Sequence, residues 1–198
     1  MHLAMRQVPD WGNSCLMFDL IFDFLFSITD WLRTTVLLDF AFWITETSLS
    51  LFMVTNFWMV PIAQVFHILA IGAAFGATLM FTLRVHGKAA TDLSLEQVAG
   101  RYVPWIWYGL LVIVLSGLLM ITAEPIRNMV NAVFWIKMLV LLVTVFLSLG
   151  FIKSVRTKAA ASGAAWAASS GAKTTSILLI VLWLFIMLCG RWIAYVPV

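Results

Sequence analysis

Residues 57–84 read FWMVPIAQVFHILAIGAAFGATLMFTLR, an apolar run of bilayer-spanning length that carries no charge before Arg84. One ionisable ring, His67, sits near its middle. A histidine inside a hydrocarbon span is costly to keep and marks a functional site by default. His67 and the groups that face it are therefore the first candidates for chemistry.

The rest of the chain agrees with a membrane protein. Hydrophobic residues make up 63% of 198 and charged residues 11%; a soluble domain carries roughly twice that charge. Mean hydropathy is +1.03. The length suits one membrane domain, all-α, a four-helix bundle preceded by amphipathic interfacial helices. Cys15 and Cys189 match no metal or redox spacing and read as free structural thiols. The opening MHLAMRQVPDWGN lacks the basic-then-apolar order of a secretory signal, so insertion is expected to rely on retained helices.

Residues 1–56 form an amphipathic N-terminal region. Asp19, Asp23, Ser27 and Asp30 recur at spacings of 4, 4 and 3, which places them on one helical face. Asp39, Glu46 and Ser50 repeat the pattern within residues 34–53. Two aspartates at mid-membrane would cost about 5–7 kcal/mol. Both segments are therefore expected in the interface, with a fifth span at 14–33 as the alternative. Six of the nine acids precede residue 57, making this region an acidic rim for solvent or a partner.

Residues 57–198 hold the four spans: 57–84, about 102–123, about 132–152 and about 176–195. Trp105, Trp107, Trp135, Trp192 and Tyr195 lie near span ends, as headgroup anchors do. Loop 84–101 carries Arg84, Lys88 and Arg101; loop 153–174 carries four cations and no acid; loop 124–131 has only Arg127 as a cation. The positive-inside rule places the first two loops in the cytoplasm. The stretch KAAASGAAWAASSGAK, 158–173, reads as a flexible connector.

Depth brings the polar groups together. At 1.5 Å per residue, His67 lies roughly 15 Å below the outer end of its span and Lys137 roughly 9 Å below the same side. Arg191 sits near that end of the last span, and Gln64 one turn above His67. Snorkelling alone would account for Lys137 or Arg191; three cationic or protonatable groups at one level suggest an anionic ligand. A haem b fits, with imidazole on iron and Lys or Arg on its propionates, so His67 is the candidate metal ligand and Gln64, Lys137 and Arg191 the candidate cofactor contacts. A quinone or another small anion also fits. His86 is about 28 Å from His67 along a helix and cannot share its iron. The sixth position would be open, filled by Met120, or supplied by another protein. Gly72 and Gly76 form a GxxxG pair expected to allow close helix packing. No phosphate loop or nucleophile–base arrangement is present, and topology accounts for the positive charge without nucleic acid.

The runs FWMVPIAQVFHILAIGAAFGATLMFTLRVHG, AVFWIKMLVLL and CGRWIAY resemble an uncharacterised bacterial family of multi-helix membrane proteins grouped with the copper-resistance D-like proteins. The resemblance covers roughly residues 35–198. The first-helix histidine and the FWIK of the third span also resemble the HemJ-type protoporphyrinogen oxidase, a b-haem membrane protein. That resemblance implies His67 as haem ligand, Lys137 as a functional lysine, and a place in the bacterial inner membrane. The chain lacks the His/Met/Cys cluster that copper transport would need. The expected function is b-type haem binding in electron transfer or in anchoring a redox complex. The alternative is a non-redox structural or assembly subunit. A redox partner, a larger complex and a second copy of the chain all remain open as partners beside the lipid bilayer.

Overall fold

The structure is a computed structural model describing residues 12–159 and 165–196, with side chains described from residue 20 onward except at 158 and 159. Eight principal helices make it all-α: α1 (Gly12–Arg33), α2 (Val36–Thr45), α3 (Ser48–Thr55), α4 (Met59–Val85), α5 (Leu95–Ala123), α6 (Pro125–Met129), α7 (Ala132–Ser154) and α8 (Ser170–Trp192). A π-helical turn, Val155–Ala159, continues α7. Four of these helices are long and apolar enough to cross a membrane: α4, α5, α7 with its extension, and α8. The protein is a membrane-embedded helical bundle.

Buried positions explain how the four spans pair. On α4 they are Ala63, Ala70, Ala74, Ala77, Thr78, Phe81, Thr82 and Val85, a face recurring every three or four residues or two turns. That face lies against α5 along most of its length. Gly109 of α5 makes the closest approach: a Cβ there would stand 3.0 Å from the Ala70 carbonyl oxygen and 3.1 Å from Ala74 Cβ. Small residues let the two backbones meet, as helices in lipid require. The glycines expected at such a seam are elsewhere. A Cβ on Gly72 or Gly76 would meet nothing within 4 Å, so the GxxxG pair faces away from the packed side.

α8 packs against both α4 and α7, which gives the order α5–α4–α8–α7. The arc does not close, because α5 has no extensive packing against α7. α6 joins them at one end, where it packs on both, and the π turn meets α5 at the other. The second end carries Arg84, Lys88, Arg101, Lys153, Arg156 and Lys173 and is the basic end.

Several boundaries differ from the sequence expectation. Residues 34–53 are no single interfacial helix: α2 and α3 are separate helices bent by 66°. Thr47 starts α3 by accepting from the Ser50 backbone N–H at 3.3 Å, which explains the break. Together α2 and α3 could make a fifth, broken span. α5 begins at Leu95, not near 102, because Ser94 and Gln97 form a capping box. The expected connector 158–173 is ordered in part. Trp166 and Ala167 are buried in a core with Phe151 and Val155, and Trp166 Nε1 donates to Ser154 Oγ at 3.2 Å. Residues 160–164 lie outside the described part.

The N-terminal helices dock on the end opposite the basic one. Leu25 of α1 packs with Ala132, Val133 and the buried free Cys189. Thr29 Oγ1 accepts from the Ala132 backbone N–H at 3.4 Å, satisfying one of the donors a helix start leaves over. Asp19 and Cys15 fall where side chains are not described. Asn131, fully buried, accepts from the Val133 N–H at 2.9 Å and donates through Nδ2 to the Ile193 carbonyl at 3.4 Å. It ties the start of α7 to the end of α8.

Candidate functional site

A cavity of about 190 Å³ lies among α4, α5, α7 and α8 in the half of the bundle nearer α6. His67 and Ile71 line it from α4, Gly117 and Met120 from α5, Lys137 and Met138 from α7, Trp183 and Gly190 from α8. Every span thus contributes. Its depth follows from helix rise. His67 is eight residues from the start of α4, roughly 12 Å, and Trp183 nine from the end of α8, roughly 14 Å. The walls are mostly apolar, with a few polar groups, as small-molecule sites commonly are.

His67 is held on one nitrogen. Its Nδ1 lies 2.9 Å from the Oγ of buried Ser116. The Ser116 hydroxyl donates to the Val112 carbonyl one turn back on its own helix. A hydroxyl has one proton, so the serine oxygen is left to accept from Nδ1–H. That tautomer leaves the Nε2 lone pair as the ring's acceptor or metal-ligating atom. Gly117, next in chain, stands beside the ring: a Cβ there would make ordinary contact with His67 Cε1 at 3.5 Å.

Two further residues of the lining carry donors, Trp183 and Lys137. Trp183 is 2% exposed, and its Nε1 has no hydrogen-bond partner among the described residues. A buried N–H left unpaired costs about 1–3 kcal/mol. Lys137 reaches across to α8, where its Nζ lies 3.8 Å from the position of a Gly190 Cβ. Lys137 makes no ion pair among the described residues; the two pairs there are Arg33–Asp30 and Arg127–Glu124. The set is therefore one imidazole lone pair, two thioethers (Met120 and Met138), one indole, one ammonium and, at the rim, the Asn128 amide.

The structure brings His67, Lys137 and Met120 to one cavity, and it places the other candidates outside. Arg191 is exposed and donates to the Tyr195 hydroxyl at 2.8 Å, its guanidinium 5.2 Å from that ring's centroid. Gln64 is exposed one turn from His67 and does not line the cavity. Glu124 binds Arg127 at 3.0 Å at the surface. His86 lies at the basic end, its Nε2 3.4 Å from Ser176 Oγ. Among the described residues no three His, Cys, Asp or Glu side chains gather into a cluster.

Sequence reasoning missed Ser116 and Trp183, and both carried a signal. Ser116 is the lone hydroxyl in LLVIVLSGLLM, and Trp183 sits mid-span, away from the headgroup level where tryptophans anchor.

No similar protein is found among curated proteins, and no solved structure matches. Residues 40–196 match the model of a protein family, and they include the whole cavity and all four long helices. The chain belongs to that family, a family of unknown function (DUF6644).

Proposed function

We propose that the protein binds haem b in the membrane, serving electron transfer or anchoring a redox complex. One observation carries the reading: Ser116 holds His67 Nδ1, which leaves Nε2 for a metal in a cavity reached by all four spans. Ligating histidines characteristically hold their second nitrogen in this way. Met120 lines the same cavity, and its thioether would be a further group able to hold the haem. Lys137 and Trp183 offer an ammonium and an N–H for carboxylates. The residues thus fit the group in kind. At about 190 Å³ the cavity is smaller than the about 300–1,000 Å³ of drug-sized ligand pockets, and it lies along the gap between α5 and α7. Haem bound there would supply one-electron redox chemistry; the chain's own residues bind, orient and shield it. The likeness of the first-helix histidine and FWIK to the b-haem oxidase supports the same assignment of His67 and Lys137. Arg191 and Gln64 have no role in this reading. The basic end faces the cytoplasm by the positive-inside rule, and the membrane is the bacterial inner membrane by family resemblance.

Titration of ferric haem into purified, haem-free protein tests the proposal. Saturable one-to-one binding with a shifted Soret band is expected, lost in His67→Ala. Binding that is unchanged in His67→Ala would remove the histidine from the site.

A second reading, a non-redox assembly subunit, draws on α2 and α3. Phe40 stacks on Trp43 at 5.6 Å between centroids, and both rings are exposed beside exposed Asp39. Co-migration of a colourless protein with partners on a native gel would favour it.

A further inference from the structure

At the basic end the gap between α5 and α7 widens into an open groove. One part, about 670 Å³, is walled by Gly100, Val103, Pro104 and Trp107 of α5 and by Arg156; an adjoining part, about 470 Å³, is walled by Gly150 and Lys153 of α7. Trp107 and Arg156 belong to both parts, so the two are continuous.

The groove has the chemistry of a headgroup site with an apolar floor. Lys153 and Arg156 are exposed and make no ion pair among the described residues. Glu96 also lines the wider part, so two cations and one anion leave a net charge of one positive. Trp107 and Tyr108 are exposed beside it and give it an aromatic wall. A Cβ on Gly100 or Gly150 would meet nothing within 4 Å, so both glycines border unfilled space. Pro104 withholds the N–H that the Gly100 carbonyl would receive in an unbroken helix. The groove opens sideways, where α5 and α7 do not pack.

We propose that this groove binds one anionic phospholipid, a phosphatidylglycerol, with its phosphodiester at Lys153 and Arg156 and its acyl chains along the α5–α7 gap. The single negative charge balances the groove, and the glycerol hydroxyls are donors for Glu96 and the Gly100 carbonyl. Basic pockets between spans are a recognised way of holding anionic lipids. The inference does not depend on His67 or on haem.

Native mass spectrometry of the delipidated full-length protein tests it, with phosphatidylglycerol or phosphatidylethanolamine of identical acyl chains added back. Preferential retention of one phosphatidylglycerol is expected. Lys153→Gln with Arg156→Gln weakens it about tenfold or more. Gly150→Leu fills the groove without touching a charge, and it is expected to weaken binding several-fold. This variant carries the test alone should the double variant not fold. Equal retention of the two lipids would overturn the proposal, as would binding unchanged in folded variants. Displacement of the lipid by inorganic phosphate alone would also overturn it, marking a small-anion site.

Discussion

α5 meets its two neighbours in opposite ways. Against α4 it is sealed: Gly109 lies on the Ala70 carbonyl and Ala74, which are 6% and 0% exposed. Towards α7 it is open, bridged by α6 at one end and the π turn at the other. Lipid tails give helices no hydrophobic reason to associate, so close backbone packing must hold them. The α4–α5 seam supplies that frame. The α5–α7 gap, which lacks it, is where the cavity and the basic groove lie. Ser116 joins the two regions by holding a histidine of α4 against α5.

Filling the seam is expected to have the largest effect on stability. Gly109→Leu drives a side chain into the α4 backbone and should destabilise by about 3 kcal/mol, the upper part of the overpacking range. Thermal unfolding in detergent reads this; an unshifted midpoint would mean that α4 and α5 are not held there. Ser116→Ala should leave the fold intact and lower haem affinity about 10–100-fold, as loss of a ligand's orienting partner does. Haem titration checks it. Trp183→Phe removes the orphan donor of a residue in the cavity wall. About tenfold weaker haem binding is expected if the indole serves a carboxylate, from the ~1.5 kcal/mol of a hydrogen bond to a charged group. Gly72→Leu, on the unpacked face of α4, should shift stability by less than about 0.5 kcal/mol. A shift as large as that of Gly109→Leu would place a packed surface where the structure has open space.

The four spans were legible because bilayer thickness fixes the length of an apolar helix, whatever its neighbours. Their starts were less so. Glu96 and Arg101 disguised the first two turns of α5 as loop, although Ser94 and Gln97 carried the cap in the sequence. Trp166 was hidden in a run of alanines and serines; only its packing on Phe151 reveals it as core. Within the site, depth and the family resemblance both singled out His67 and Lys137. Depth could not exclude Arg191, because that depends on angle. Gly190 lines the cavity, and the next residue is turned about 100° around the helix, towards Tyr195. Composition likewise could not choose between Gly72 and Gly109 as the packing glycine, since either permits a close approach.

The most direct test is a reduced-minus-oxidised visible spectrum, with haem stoichiometry, of protein purified from haem-replete cells beside His67→Ala. The account predicts about one haem per chain, with sharp reduced bands that vanish in the variant while the helical fold persists. A well-folded, colourless wild type, or bands that survive in His67→Ala, would contradict it.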